Sequence, residues 1–424
     1  MTAKKSRASA ASQRAVVEFT EEVKLEGHII DSWTLPRAFD AVMDLGGDFE
    51  VLSIQVGKHK GETSHAHLRV RARSTALLTT IVTQLQELGA EVVSGKDVET
   101  KPAPCDGALP PDFYSTSNMP TEVRLGGKWV PVAEIEMDVA ILVDRAAGRA
   151  FTRPMIHVKQ GDAVVVGYDG IRVQPLERAR ESEVFSFMNS AVSSEKPKKL
   201  VIHEIARQMR EIRAHDGKIL VVAGPAIVHS GAGSYLADLI RDGWIQVLFA
   251  GNAIATHDVE SALFRTSLGV NLDSGVPVEG GHRHHMRAIN AIRTAGSLKA
   301  AVEQGILTRG IMYEAVKKGI PMVLAGSIRD DGPLPDVETD VLVAQDKMRA
   351  LVQDRVEMAL MVCSMLHSIA TGNLLPAAVK TVAVDINPAV VTKLADRGSW
   401  QAVGLVTDAE LFLRELASAL SPAS

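Results

Sequence analysis

Six short polar runs in the second half of the chain each follow an apolar stretch of the kind that forms a buried strand. Most are rich in Gly, Asn, Ser and Asp, whose small side chains let a backbone approach a phosphate or a ribose closely. The runs are GPAIVHSGAGS from Gly224, GNAIATHD from Gly251, GSIRDDGPLPD from Gly326, SMLHS from Ser364, DINP from Asp385 and TD at Thr407. Any single run could simply cap a helix, but six at one sheet edge favour a nucleotide site.

Asp385 ends one of the apolar stretches, TVAVD, and is followed by Asn387 and Pro388. A carboxylate at the end of a parallel strand can accept both hydroxyls of a ribose, and no arginine stands beside it to favour a 2′-phosphate, so NAD is favoured over NADP. No G-x-G-x-x-G fingerprint precedes it, which predicts a variant dinucleotide fold. The alternative is that Asn387 only caps a helix with Pro388 at its first position.

The run GGHRHHMR, residues 280–287, crowds three imidazoles and two guanidiniums into one segment. His282 and His285 have a spacing that could converge on zinc, but the two arginines would repel a cation. We therefore predict no metal. A solvated basic loop remains open, as does an anion site for a phosphate or a substrate carboxylate.

The run FYSTSNMPTEV, residues 113–123, is rich in hydroxyls and lies near prolines. Such a segment can bind a carboxylate or an ammonium through many hydrogen bonds, or it can be a structural cluster of turns. Its place between β-rich runs suggests a wall that closes over a ligand crevice, either in the same subunit or from a neighbour.

Changes of composition and hydrophobic periodicity along the chain predict the domains that contain these runs. Residues 1–15 are basic, small and without periodicity, and we predict a disordered tail. Residues 16–98 alternate extended runs with helical periods closed by glycine, which predicts a small α+β domain of the split β-α-β type. Residues 99–194 carry β-rich runs between Pro and Gly and predict a mostly β module. Residues 195–424 predict an α/β domain.

The α/β prediction rests on continuous apolar runs that alternate with helical periods from Lys218 onward. The runs are KILVVAG, WIQVLFAG, IPMVLAG, ALMVC, TVAVD and AVGLV. Apolar strands without polar alternation need cover on both faces, so they predict a parallel sheet between two helix layers. Ligands of such sheets bind at the carboxyl ends of the strands, where the six polar runs would lie.

Composition excludes several classes of function. The chain has 424 residues with 46 Lys and Arg against 51 Asp and Glu, and aromatic residues make up 4%. We therefore expect no nucleic-acid partner. Two cysteines cannot form a disulfide framework, and no apolar run of about 18 residues suggests a membrane span, so a cytoplasmic protein is expected.

Long segments of the chain carry a family resemblance. They are EVKLEGHIIDSWTLPRAFD, CDGALPPDFYSTSNMPTEVRLGGKW, VHSGAGSYLADLIRDGW, AGNAIATHDVE, VLAGSIRDDGPLPDV, MLHSIATGN and VAVDINPAVVTKLADRG. They resemble the conserved-region family of lysine-ketoglutarate reductase/saccharopine dehydrogenase (LOR/SDH). Within that family the chain is similar to the archaeal-type ornithine cyclodeaminases and to the C-terminal part of arginine dihydrolase/ornithine cyclodeaminase.

The resemblance implies a Rossmann-like C-terminal NAD domain similar to deoxyhypusine synthase. A homo-oligomer is also expected. The implied NAD contacts are Asn252, Ala253, Asp331, Ser364, Met365, Leu366, His367 and Asp385. Thr371, Gly372 and Asn373 are weaker candidates, because they fall near the far end of a helix where they could serve as a C-cap. No arginine-dihydrolase domain precedes the matching region, so no guanidine hydrolysis is expected.

The activity implied by the resemblance is conversion of L-ornithine to L-proline and ammonia, with a hydride lent to NAD and returned. That chemistry needs a base beside the nicotinamide, for which His257 and Asp258 are the leading candidates. Adjacent residues on a helix face apart, so we expect only one of them to act. The alternative is that Thr256 caps a helix with Asp258 solvated in its first turn. His229 is a second candidate base.

Three other functions stay open. A saccharopine- or lysine-type NAD-dependent dehydrogenase would produce NADH in proportion to product. A non-catalytic NAD or amino-acid sensor would only bind. An aminobutyl transferase similar to deoxyhypusine synthase would need a lysine in the crevice, and none lies in the six polar runs.

Overall fold

The computed structural model describes residues 18–30, 32–59, 62–174, 198–267, 270–271, 283–330, 332–396 and 401–421. The predicted tail, residues 1–15, and the predicted boundary at residues 194 and 195 lie outside these ranges. The described residues form two compact units. The first unit is drawn from Met1–Ser115, Pro120–Ala133 and Ala140–Glu177, and the second from Thr116–Met119, Glu134–Val139 and Arg178–Ser424.

A four-stranded antiparallel sheet and two helices open the first unit. In chain order they are β1 (Phe19–Gly27), α1 (Thr34–Asp44), β2 (Asp48–Gln55), β3 (Ser64–Ala72), α2 (Thr75–Glu87) and β4 (Glu91–Val92). The sheet order is β2-β3-β1-β4, as in a split β-α-β domain. Both helices end at a glycine of positive φ, Gly46 and Gly89, as the sequence predicted.

A second sheet in the first unit has seven strands. They are β5 (Glu99–Pro102), β6 (Thr121–Leu125), β7 (Lys128–Ala133), β8 (Ala140–Asp144), β9 (Arg149–Arg153), β10 (Ala163–Val166) and β11 (Ile171–Val173). Their order is β11-β6-β7-β9-β8-β10-β5. Within residues 99–174, which are all described, the only helical element is a 3₁₀ turn at Met155–His157. The prediction of a mostly β module is confirmed.

The second unit alternates strands and helices. Its elements are α3 (Lys198–Ala214), β12 (Lys218–Ala223), α4 (Ala226–His229), α5 (Gly233–Arg241), β13 (Val247–Gly251), α6 (Asn252–Phe264), β14 (Thr266–Ser267), β15 (Val270–Asn271), α7 (His284–Ala295), α8 (Leu298–Glu303), α9 (Ile311–Lys318), β16 (Met322–Ala325), β17 (Val337–Glu338), α10 (Val341–Gln353), β18 (Val356–Val362), α11 (Leu366–Leu374), β19 (Lys380–Asp385), α12 (Ala389–Asp396), β20 (Ala402–Val406) and α13 (Ala409–Leu420).

Seven of these strands form one parallel sheet in the order β17-β16-β13-β12-β18-β19-β20. All six predicted strands are present, and β17, only two residues long, is the addition. Alternate residues of β12 enter two different cores: Ile219 and Val221 join one, while Leu220 and Val222 join the other. The sheet is therefore covered on both faces, which is why its strands are apolar without alternation.

The strand order contains a reversal of winding. From β12 the chain moves outward to β13 and β16, and then returns to place β18 on the other side of β12. In open α/β sheets the ligand crevice lies outside the carboxyl ends of the strands at such a reversal. The ends of β12 and β18 therefore mark the expected site.

Candidate functional site

Gly224 and Cys363 form the floor of the crevice between the ends of β12 and β18. The N–H of Gly224 donates to the carbonyl of Val362 at 2.9 Å. A Cβ added at Gly224 would lie 1.6 Å from the backbone oxygen of Cys363 and 2.9 Å from the N of Ser364. Only glycine lets the two strand ends approach this closely, and it leaves backbone rather than side chain at the crevice floor.

Asn252 and Ala253 begin α6 directly after β13. The Asn252 side chain is engaged within the protein, since its Oδ1 accepts from the N–H of Leu334 at 3.1 Å and its Nδ2 donates to Asp330 at 3.3 Å. These bonds anchor the loop that contains Asp331, which itself lies outside the described residues. No side chain caps the start of α6, so the N–H groups of this helix end point toward the crevice rim.

Ser364, Met365, Leu366 and His367 follow β18 and start α11. Ser364 is buried, whereas the side chain of Leu366 is 71% exposed. Across the floor, an added Cβ at Gly251 would lie 2.6 Å from His367 Cε1. Burial lowers the pKa of His367, and the nearby Asp330 carboxylate opposes this shift. A neutral imidazole and an exposed apolar side chain thus stand on one rim.

Asp385 ends β19 with its side chain partly exposed. Its Oδ1 accepts from the N–H of Asn387 at 2.8 Å, and Asn387 Oδ1 accepts from the N–H of Ala389 at 3.0 Å. Asn387 thus caps the start of α12, which begins at Ala389, one residue after the position expected for Pro388. Whether Asp385 also contacts a ribose stays a prediction. Among the described residues Asp385 Oδ2 accepts no hydrogen bond, so a ligand can reach it. Sequence reasoning missed Ile386, whose apolar side chain is 73% exposed beside this carboxylate.

Imidazoles from three helices meet beside α6. The ring centroid of His257 lies 4.6 Å from that of His229 in α4 and 5.1 Å from that of His285 in α7. Glu260, fully buried, lies 3.4 Å from His257 Nδ1 through its Oε2. Partial burial, followed by the proximity of His257, lowers the pKa of His229 and of His285. These two rings are therefore kept neutral.

Three members of this cluster, His257, Glu260 and His285, have ligand atoms within 4.8 Å of one another. Zinc in proteins usually takes four ligands, or three and a water. These three side chains would suffice for the second kind of site, so the absence of a metal stays a prediction. His282, the other residue of the predicted convergence, lies outside the described residues. Sequence reasoning missed Glu260, although its spacing of three from His257 places both on one face of a helix.

Asp258 points away from this cluster. Its Oδ1 accepts from the N–H of Ile311 at 2.9 Å and its Oδ2 from the N–H of Met312 at 2.8 Å, so it caps the start of α9. The side chain is buried, and burial raises its pKa to about 6 against the opposing effect of these two hydrogen bonds. His257 and Asp258 therefore have different neighbours, as expected for adjacent residues of a helix, and Asp258 has a capping role. Which of the two acts as the base stays a prediction.

The alternative reading of this segment, in which Thr256 caps the helix and Asp258 is solvated, is wrong. The helix begins at Asn252, and Thr256 is fully buried with its hydroxyl donating to Asn252 Oδ1 at 3.2 Å. The segment is buried on all sides because α6 is packed between neighbouring helices and the sheet.

Exchange of Asp258 for asparagine should destabilise the protein without removing its chemistry. Asparagine offers one acceptor where the carboxylate offers two, so one N–H of α9 loses its partner at a cost of about 1–3 kcal/mol. The raised pKa of Asp258 also makes stability depend on pH. Between about pH 4 and 6 the folded state keeps a proton that the unfolded state has released. The carboxyl therefore makes the parent less stable as the pH rises through this range. Between pH 4.5 and pH 7 the melting temperature should fall less for the variant than for the parent. Loss of turnover with an unchanged melting temperature would return Asp258 to the chemistry.

Asn118, in the middle of the segment FYSTSNMPTEV, packs within the second unit away from the carboxyl ends of the strands. Asn118 accepts the N–H of Ala377 at its carbonyl and donates from Nδ2 to Gln401 at 3.1 Å. Ala377 and Gln401 precede β19 and β20, so this contact lies at the amino ends of the strands, opposite the site. This contact gives no support to a wall over the crevice, and the role of the segment as a whole stays a prediction. Likewise Thr371–Asn373 lie in the last turn of α11, where Thr371 accepts the N–H of Leu375.

Comparison with known proteins agrees with this architecture. The family described as "Arginine dihydrolase ArgZ-like, C-terminal, Rossmann fold" matches residues 203–416. The "LOR/SDH bifunctional enzyme conserved region" matches residues 20–119, and the first region of the ArgZ-like C-terminal part matches residues 120–202. An ornithine cyclodeaminase of Methanothermobacter thermautotrophicus is 56% identical over 93% of this chain and 96% of its own length. The chain belongs to the archaeal-type ornithine cyclodeaminase family.

Solved structures extend this family relation. The crystal structure of apo ArgZ, an arginine dihydrolase from cyanobacteria, matches 96% of this chain with a TM-score of 0.85 and 41% identity. The ternary complex of AgrE with ornithine and NAD⁺ matches the same share with a TM-score of 0.52 and 44% identity. This chain spans 58% of each of those proteins. The predicted family resemblance is confirmed.

No helix among the described residues has the length and apolar character needed to cross a membrane.

Proposed function

We propose that this protein is an NAD-dependent ornithine cyclodeaminase that converts L-ornithine to L-proline and ammonia. The observation that carries the proposal is identity above one half, over nearly the whole chain, to an archaeal relative of that name. The winding reversal in the parallel sheet supports it, since a dinucleotide binds at such a place in related sheets.

The residues at the strand ends suit NAD. Gly224 lets the ends of β12 and β18, which flank the winding reversal, lie close together. The uncapped start of α6 offers N–H groups to an anion. Asp385 offers a carboxylate oxygen to the adenosine ribose. The proposed NAD contacts are Asn252, Ala253, Asp331, Ser364, Met365, Leu366, His367 and Asp385.

When bound, NAD supplies reversible hydride transfer at the α-carbon of the substrate. The protein must take a proton from the substrate amine, because an ammonium cannot lose a hydride or attack a carbon. His257 is proposed as that base, acting through Nε2. Its neighbour His229 stands at the exposed mouth of the cluster and would pass protons to solvent. A cytoplasmic location and a homo-oligomer are parts of the same proposal. The two described cysteines, Cys105 and Cys363, are both free, as is usual in a reducing compartment.

Incubation with L-ornithine and NAD⁺ tests the proposed function. Proline and ammonia should form in equal amounts while absorbance at the NADH band shows no net rise, because the hydride returns to the product. NADH in proportion to product would indicate a dehydrogenase of the saccharopine type. Binding of NAD without turnover of ornithine would indicate a sensor, and either result would contradict the proposal.

Replacement of Asp385 with alanine should weaken NAD binding about ten- to a hundredfold. One charged hydrogen-bond partner of the ribose is lost, which is worth about 1.5–3 kcal/mol. Titration of NAD into the variant measures the affinity, and a melt without ligand measures stability. Unaltered affinity with a lowered melting temperature would mean that Asp385 only supports the turn to Asn387, a contribution of about 1 kcal/mol. Asn387→Ala is the matched control, since it removes the cap and leaves the carboxylate.

A further inference from the structure

Glu260 is a fully buried carboxylate that the chemistry described above leaves without a role. It lies three residues after His257 on α6, with its Oε2 3.4 Å from His257 Nδ1. We propose that Glu260 is the positioning residue of the base His257, holding the imidazole in the tautomer that leaves its Nε2 lone pair free. This inference rests on the proposed function and names how its base is prepared.

The direction of the neighbouring hydrogen bonds supports this assignment. The hydroxyl of Thr266 donates its single proton to Glu260 Oε1 at 2.9 Å. Thr266 must therefore accept at its second contact, so His284 Nδ1, at 2.9 Å, donates to it. The chain of donors runs from His284 through Thr266 and ends at the carboxylate. Thr266 thus holds the carboxylate oxygen of Glu260 that is not in contact with His257.

A carboxylate can only accept, so the proton of a neutral His257 must sit on Nδ1, facing Glu260. The lone pair then lies on Nε2, on the far side of the ring from α6's buried carboxylate. A side chain that fixes the tautomer of a catalytic histidine in this way can contribute several orders of magnitude to the rate of an enzyme without touching the substrate. The distance of 3.4 Å is long for such a bond, and these bonds commonly tighten once substrate is bound.

The groups that face His257 come from three helices. Glu260 lies on α6 itself, His229 approaches from α4 and His285 from α7. Glu260 is a carboxylate, whereas the two other groups are imidazoles that offer no negative charge. His285 Nδ1 is inaccessible to solvent and has no hydrogen-bond partner among the described residues. Glu260 is therefore the group of this cluster that stabilises the imidazolium formed during turnover.

The test is Glu260→Gln, which keeps the shape of the side chain and removes its charge. We expect kcat to fall about 10- to 100-fold while the KM for ornithine and the affinity for NAD change less than about threefold. The acid limb of the kcat profile should move to lower pH, because the imidazolium loses the carboxylate that stabilised it. Thr266→Val leaves Glu260 in place and removes its donor, and we expect a smaller loss of kcat in the same direction.

A matched control exists on the surface of the same unit. His215 and Glu357 form an exposed imidazole–carboxylate pair at 2.7 Å, and Glu357→Gln should leave kcat and its pH profile unchanged. Two results would overturn this inference and leave the proposed function standing, provided that the parent turns ornithine over. In the first, Glu260→Gln keeps the parental kcat. In the second, its kcat falls together with the melting temperature while the pH profile stays unmoved. Stoichiometric zinc in the parent that is lost in Glu260→Gln would also overturn it. A parent without cyclodeaminase activity would overturn the proposed function and this inference together.

Discussion

Replacing His257 with alanine is expected to lower the turnover of ornithine by about 100- to 10,000-fold, the range that general acid–base groups contribute. Its imidazole lies 4.6 Å from the exposed ring of His229 and 3.4 Å from the buried carboxylate of Glu260. Steady-state rates of proline formation measure the effect.

NAD affinity should stay near the parental value in this variant. The proposed cofactor contacts lie at the strand ends, whereas His257 lies in the second turn of α6. His215→Ala, which removes an exposed imidazole that pairs with Glu357, serves as the control and should retain full activity. Near-normal turnover in His257→Ala would remove the residue from the chemistry and leave His229 or His285 as the base.

Replacing Gly224 with alanine should damage both stability and cofactor binding. The new methyl would lie 1.6 Å from the carbonyl oxygen and 2.4 Å from the carbonyl carbon of Cys363, and both are backbone atoms that no rotamer change can move. The ends of β12 and β18 must then separate. We expect a loss of about 3 kcal/mol in the free energy of unfolding, the upper part of the range for overpacked sites. NAD binding should become undetectable at concentrations that saturate the parent, because the crevice floor is displaced.

Gly233→Ala is the matched control, since Gly233 lies in the same polar run but opens α5. An added Cβ there would meet Ile311 Cδ1 at 3.8 Å, an ordinary contact. Alanine favours a helix over glycine by up to about 1 kcal/mol, so this variant should be as stable as the parent or more so. Denaturant unfolding and NAD titration of both variants decide the matter. A Gly224→Ala protein with parental stability and affinity would show that the winding reversal is not the cofactor site.

The sequence by itself determined the elements of the parallel sheet and the polar residues at their ends. A strand covered on both faces must be apolar at every position, and this leaves a signature that needs no partner to be recognised. The caps formed by Asn387 and Asp408 also depend only on nearby residues. Each side chain accepts a hydrogen bond from the backbone N–H two residues further along the chain. For such features the neighbouring residues carry the whole physical cause.

Placement relative to other elements was beyond the sequence. The turn-rich segment around Asn118 has the composition of a binding loop, yet it lies at the amino ends of β19 and β20. Asp258 is of a residue type that can act as a catalytic acid, yet it caps α9, which begins more than fifty residues later. In both cases the partner is distant in the chain, and nothing local identifies it.

Most of the cluster around His257 was decided by tertiary structure, since only its pairing with Glu260 is local to α6. Its members lie on α4, α6, β14 and α7. Helix α6 is buried on nearly all sides from Asn252 to Glu260, so it has no polar face from which an exposed or functional side could be inferred. The hydrophobic period that locates an ordinary surface helix is therefore missing. The packing of α4 and α7 against α6 determines that His257 meets two imidazoles. The packing of α9 determines that the next residue, Asp258, faces the start of that helix.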